Sequence, residues 1–145
     1  MYAVMGATSR TGGVVLGELR RRGLKVRALA RDPERATALW TDGIEVAIAA
    51  PGDADALTTA FTGVDGACVI ASSVATPTAI VQAIGRAGVR HVVAVSPHGG
   101  RRDFEDALLA TGACVTFVRQ LNAARHGGAR EAGRLAALCL MEGRP

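Results

Sequence analysis

The chain opens on an apolar run, Tyr2-Ala3-Val4-Met5, and then breaks into small and polar residues, Gly6-Ala7-Thr8-Ser9-Arg10-Thr11-Gly12-Gly13. An apolar run cut off by glycine reads as a buried strand entering a turn. From Thr11 to Arg22 the period changes. Val14, Val15 and Leu19 fall on one face, arginines fill the last turn and Gly23 stands at the exit, which predicts a helix. Leu24 to Ala30 alternates and predicts a second strand. It ends at Arg31-Asp32-Pro33, where Asp32 is placed to cap a helix whose first residue is Pro33.

The same alternation predicts a strand over Ile44 to Ala49, a helix over Asp53 to Phe61, a strand over Ala67 to Ala71, a helix over Pro77 to Ala87 and a strand over His91 to Val95. Gly63 and Gly88 close the two helices. Val92 to Val95 is apolar on both faces, as befits a parallel strand covered by helices on each side. A helix over Asp103 to Thr111 and a sixth strand over Ala113 to Val118 complete the series. Strands and helices in strict alternation, joined by right-handed crossovers, give an open, doubly wound α/β sheet in three layers, of Rossmann type. After Arg119 the character changes: Gln120 to Gly133 shows no clear apolar period, and Leu135 to Met141 has room for one last helix. The expected organisation is therefore a domain over residues 1–119 and an irregular or helical tail over 120–145, loosely held.

With 145 residues, 49% hydrophobic and 21% charged, the chain has the balance of one globular domain. No apolar run nears the ~20 residues of a membrane span, and the N-terminus lacks a basic leader, so the expectation is a soluble, unprocessed chain. The three cysteines, Cys68, Cys114 and Cys139, are odd in number and far apart. They offer neither a disulfide framework nor a metal knuckle, and point to a reducing, cytoplasmic setting. The net charge of +4 comes from sixteen arginines and the single Lys25, diluted by thirteen acids, with only 3% aromatic residues. Nucleic-acid binding is disfavoured, because no basic stripe alternates with stacking groups.

In such a sheet the binding crevice lies outside the carboxyl ends of the strands, where the chain order reverses. Gly6 to Gly12 falls there. A helix opening near Thr11 presents amide groups and the positive end of its dipole to that crevice, which suits a pyrophosphate. Gly6 permits the tight turn and Gly12 the close packing of helix on strand. The turn is not a P-loop, since no Gly-Lys-Ser or Gly-Lys-Thr follows, and triphosphate hydrolysis is disfavoured. Arg31 closes the second strand, where a free ribose 2′-hydroxyl calls for an acid and a 2′-phosphate for a cation. Its guanidinium, with Arg10 in the turn, favours NADP(H) over NAD(H) and speaks against S-adenosylmethionine. Asp32 is read as a helix cap.

These residues carry a resemblance. Gly6-Ala7-Thr8-Ser9-Arg10-Thr11-Gly12, Val26-Arg27-Ala28-Leu29-Ala30-Arg31-Asp32-Pro33, Ala87-Gly88-Val89-Arg90-His91-Val92-Val93 running to Ser96, and Thr111 to Arg119 resemble the NmrA-like branch of the atypical, extended short-chain dehydrogenase/reductase family. The resemblance covers roughly residues 1–119. It implies an NAD(P)-binding domain, usually preferring NADP(H), in proteins that are reductases or redox-sensing regulators. It puts the dinucleotide contacts on Gly6, Thr8, Ser9, Arg10, Thr11, Gly12 and Arg31, with Ala71 and Ser72 beside the ribose and nicotinamide. Ser9 departs from the family's middle glycine, with a hydroxyl able to donate a compensating hydrogen bond. Ala50 replaces the aspartate usual beside the adenine. The resemblance also implies a further substrate-binding portion, so the chain reads as truncated.

Catalysis is the sharpest departure. The Tyr and Lys that pass a proton to a carbonyl oxygen in short-chain dehydrogenases have no counterpart, because Tyr2 lies inside the first strand and Lys25 at the start of the second. Ser96 and His98 are read as a turn serine and a loop histidine, while His91 and His126 have no partner at metal-ligand spacing. No catalytic residue is assigned. The expected function is a noncatalytic NADP(H)-binding module or redox sensor; the alternatives are an NADPH-dependent reductase of quinones or enones and, more distantly, a nucleic-acid binder. Trp40 is expected in the second helix, near the adenosine end.

Overall fold

The opening apolar run forms β1 (Tyr2–Met5), every residue of it buried, in a computed structural model that describes residues 1–40, 43–71, 77–97, 101–120 and 126–143. β1 lies near the middle of a six-stranded sheet ordered β3-β2-β1-β4-β5-β6. The other strands are β2 (Val26–Ala30), β3 (Ile44–Ile48), β4 (Gly66–Ile70), β5 (His91–Pro97) and β6 (Cys114–Gln120). All five pairings are parallel. Between β1 and β4 the chain order reverses, which opens a crevice at the carboxyl edge of the sheet. The doubly wound Rossmann-type fold read from the sequence is the fold observed.

Among the described residues six helices cover the sheet: α1 (Arg10–Arg21), α2 (Pro33–Thr37), α3 (Ala54–Phe61), α4 (Pro77–Ala87), α5 (Arg102–Leu109) and α6 (His126–Glu142). One core joins Val15, Leu16 and Leu19 of α1 and Ala136, Ala137 and Leu140 of α6 to Val4, Val26, Cys68, Val93 and Val95 of the sheet. The other joins Leu57 and Phe61 of α3, Ile80 and Ile84 of α4, and Phe104 and Leu108 of α5 to Ala3, Val69, Val92 and Ala94. Successive strand residues feed opposite cores, which is why the central strands read as unbroken apolar runs. Asp32 and Asp53 cap α2 and α3 through their side chains, each accepting from the amide three residues on.

Two expectations need correcting. The last helix opens at His126, well before Leu135. Its docking face is built from Ala132, Gly133, Ala136 and Ala137, residues too small to register as an apolar period. A Cβ added to Gly133 would lie 2.7 Å from the Val14 side chain and 3.0 Å from the Thr11 carbonyl oxygen, so α6 rides close on α1. Beside this seam the Glu18 carboxylate pairs with Arg21 and Arg22 of its own chain segment and with Arg134 of α6. The Arg22 hydrogen bond, foremost, holds Glu18 below the ordinary carboxylate range. Trp40 is not part of the second helix: α2 ends at Thr37, and the indole beyond it is 75% exposed. Among the described residues no helix is long and apolar enough to cross a membrane, and no cluster of His, Cys, Asp or Glu is disposed to hold a metal.

Candidate functional site

The chain leaves β1 through Gly6, whose φ of +82° lies in the left-handed region that favours glycine. The turn then folds back on the Gly6 carbonyl, which accepts from the Ser9 amide at 3.0 Å and from the Ser9 hydroxyl at 2.7 Å. Ser9 is the cap of α1: its Oγ accepts from the Gly12 amide at 3.0 Å. The hydroxyl for which a bond to a phosphate was expected here donates to the Gly6 carbonyl. Ser9 stands where a glycine was expected because it fastens the turn to the helix. The first turn of a helix keeps amides with no partner inside the helix, and in α1 that turn opens at Arg10 and Thr11, on the carboxyl edge.

Gly12 lies beneath this turn. A Cβ there would overlap the Gly6 carbonyl oxygen and come within 2.9 Å of the Ala7 Cα, so only glycine lets α1 approach the turn this closely. A cavity of about 190 Å³ opens beside it, lined by Met5, Gly6, Thr8 and Ser9 on one side and by Leu29, Ala30, Arg31, Arg35, Ala49 and Pro51 on the other. The ends of β1, β2 and β3 thus bring Gly6, Thr8, Ser9 and Arg31 together. Arg10, Thr11 and Gly12 do not line the cavity: Arg10 is exposed, Gly12 backs the turn, and the buried Thr11 donates its hydroxyl to Gln120 Oε1 at 3.2 Å. Ala71 is buried where β4 ends; Ser72 and His98 lie outside the described residues.

Arg35 is the residue that sequence reasoning missed. It sits in the first turn of α2, four positions after Arg31, with Nε 3.5 Å from Asp32 Oδ2, and shares the cavity wall with Arg31. The signal was present in the sequence, because a capped helix opening at Pro33 turns its first-turn residues back toward the strand end. Asp32 caps this helix, accepting from the Arg35 amide at 2.8 Å.

At the carboxyl ends of β5 and β6 lies a second polar cluster. Arg119 clasps the Glu105 carboxylate with both terminal nitrogens and also donates to Ser96 Oγ, while Ser96 lies 3.4 Å from Glu105 Oε1. The Arg119 hydrogen bond is the main reason that Glu105 is pulled from 4.5 to about 2, against burial. Ser96, placed by the sequence in a turn, is the buried penultimate residue of β5 and is held by this pair. A depressed carboxylate stabilises the fold above its ordinary value and loses that contribution as pH falls. The Glu105 contribution is accordingly complete above about pH 4.5 and fades toward pH 2. Glu105→Gln is expected to cost about 1–2 kcal/mol at neutral pH, between exposed and buried pairs. It should also flatten the acid limb of a stability-versus-pH curve measured by urea unfolding. An unchanged acid limb would remove Glu105 from this role.

Comparison with known proteins turns on the cradle and the strands around it. The sequence model of an NAD(P)H-binding family matches residues 6–126. This chain belongs to that family. A curated relative, the (4-alkanoyl-5-oxo-2,5-dihydrofuran-3-yl)methyl phosphate reductase of Streptomyces griseus, is 37% identical over 133 residues, covering 82% of this chain and 46% of the relative. An Escherichia coli NADPH-dependent quinone oxidoreductase, crystallised with NADPH, superposes with a TM-score of 0.75 at 28% identity, covering 83% of this chain and 48% of that one. A Citrobacter triphenylmethane reductase, crystallised with NADP(H), gives 0.71 at 27% identity over 82% and 48% of the two chains. The NAD(P)H-binding chain thus spans about half the length of these relatives.

Proposed function

We propose that this chain binds NADP(H) in preference to NAD(H), and that it is an NmrA-like cofactor-binding module of the reductase type. The observation that carries the reading is the cavity whose lining joins the glycine turn to Arg31 and Arg35. The residues fit the dinucleotide. Gly6, Thr8 and Ser9 give a narrow floor and wall, and the first turn of α1 directs its dipole at the pyrophosphate. Arg31, with Arg35 behind it, meets the 2′-phosphate; planar guanidinium groups suit paired hydrogen bonds to phosphate oxygens. Residues 1–119 form the binding unit in this reading, with Ala71 and Ser72 toward the nicotinamide end. The four segments that resemble the NmrA-like branch support the subgroup, and three free cysteines support a cytoplasmic setting.

When bound, the cofactor supplies the hydride; the chain supplies position and electrostatics. A redox-sensing or purely binding role is favoured by the arrangement at the sheet edges. Tyr2 lies at the amino end of β1, with its amide 2.9 Å from the Lys25 carbonyl, on the side of the sheet away from the cavity. The Ser96 hydroxyl is engaged by Arg119 and Glu105. The reductase alternative draws on relatives that are reductases.

Titration of the chain with NADPH and NADH by calorimetry tests the reading. NADPH is expected to bind at least about tenfold more tightly, the effect of roughly one charge-assisted phosphate contact. Equal affinities would remove the 2′-phosphate assignment. Incubation of the saturated complex with quinones and enones is expected to leave NADPH unconsumed, whereas steady turnover would establish the reductase alternative.

A further inference from the structure

The amino ends of the strands, opposite the cavity, carry an arrangement of their own. The parallel registers place Tyr2 beside Gly66, and His91 beside Cys114, with Ala67 paired to Val92 one step further along. Tyr2, Gly66, His91 and Cys114 thereby form one row across the sheet. The end of α6 is seated on it. A Cβ on Gly66 would meet Leu140 Cδ1 at 3.0 Å, so Leu140 drops into the gap that glycine leaves. A Cβ on Gly143 would overlap Nδ1 and Cε1 of the His91 imidazole, so the backbone after the helix lies directly against the ring.

The ring is buried, 4% exposed. Its Nε2 lies 3.2 Å from Thr116 Oγ1, and its Nδ1 is buried without a hydrogen-bond partner. The Thr116 hydroxyl can accept from Nε2 or donate to it, so it serves either neutral tautomer of the ring. A second proton would put a charge beneath the last turn of the helix, and burial disfavours it more than the Leu140 carbonyl offsets.

We propose that His91 is an acid-sensitive latch for the end of α6: the neutral ring seats the last turn on the sheet, and protonation releases it. Among the described residues, the titratable and charged groups on the elements packed around the ring are Arg90 on its own chain segment, Cys114 on β6, Cys139 and Glu142 on α6, Tyr2 on β1 and Asp65 ahead of β4. Asp65 is paired with the Met1 ammonium. Burial moves the imidazole below its ordinary 6.5, and the Leu140 carbonyl opposes this less strongly. The released segment therefore takes up a proton more readily than the docked one. Docking is held in full above about pH 6.5, weakens as pH falls below it, and levels off once the docked ring is itself protonated.

The test is hydrogen exchange of amides 137–143 in the intact chain under reducing conditions, between about pH 7.5 and 5, corrected for intrinsic rates and referred to the amides of α1. Protection of the last turn of α6 is expected to fall severalfold across this range, because the docked ring titrates below the released one. His91→Gln should make it independent of pH. Constant protection in the wild-type chain, or the same fall in His91→Gln, would overturn the latch. Should the variant fail to fold, the titration of the His91 ring protons in the wild-type chain decides: a midpoint below 6.5 supports the proposal, and one at or above 6.5 overturns it.

Discussion

Replacing Gly12 with alanine is expected to lower the melting temperature by roughly 10 °C and to abolish dinucleotide binding. The added methyl group would overlap the Gly6 carbonyl oxygen, and the nearby atoms are backbone, which no side-chain rotation moves aside. Either α1 withdraws from the turn or the turn opens. Overpacking against a rigid neighbour costs about 3 kcal/mol, which at this chain length corresponds to that temperature shift. Gly13→Ala is the matched control. It lies in the same helical turn, exposed, with no atom within 4 Å of an added Cβ. It should gain up to about 1 kcal/mol, since alanine is the better helix former. Thermal unfolding of both variants measures the contrast, and equal melting temperatures would show that the turn is softer than its geometry implies.

Arg31→Ala is expected to weaken NADPH binding by about ten- to a hundredfold, equivalent to about 1.5–3 kcal/mol for a charge-assisted contact, and to leave NADH binding nearly unchanged. The selectivity is the informative part, because a general loosening of the site would weaken both cofactors together. Arg35→Ala should act in the same direction but more weakly, since its guanidinium already has Asp32 as a neighbour at 3.5 Å. Calorimetric titration of both cofactors against both variants makes the comparison. If Arg31→Ala weakens NADH as strongly as NADPH, the 2′-phosphate is not what Arg31 recognises.

The fold was legible because each local signal agreed with the next. Asp32-Pro33 starts α2, glycines with positive φ at 23, 63 and 88 follow α1, α3 and α4, and the valines of β5 are buried on both faces. Part of the cavity lining was legible for the same reason: Gly6, Thr8 and Ser9 adjoin a strand end, and so does Arg31. What escaped the sequence depends on distance in the chain or on small side chains. Arg35 is the exception, since the capped start of α2 that brings it to the cavity is marked in the sequence by Asp32-Pro33. The bond from the Thr11 hydroxyl to Gln120 joins residues far apart in the chain. The first half of α6 hides because alanine and glycine, which let two helices approach, carry too little apolar character to mark a face.

The bond between Thr11 and Gln120 spans 109 positions, and Gly133 rests against the same turn of α1. The opening of α1 is thus completed by residues more than a hundred positions further along the chain. Without those residues the start of α1 would keep the local brace of Ser9 and lose both long-range ones, so its order rests on contacts of high sequence separation, which form slowly.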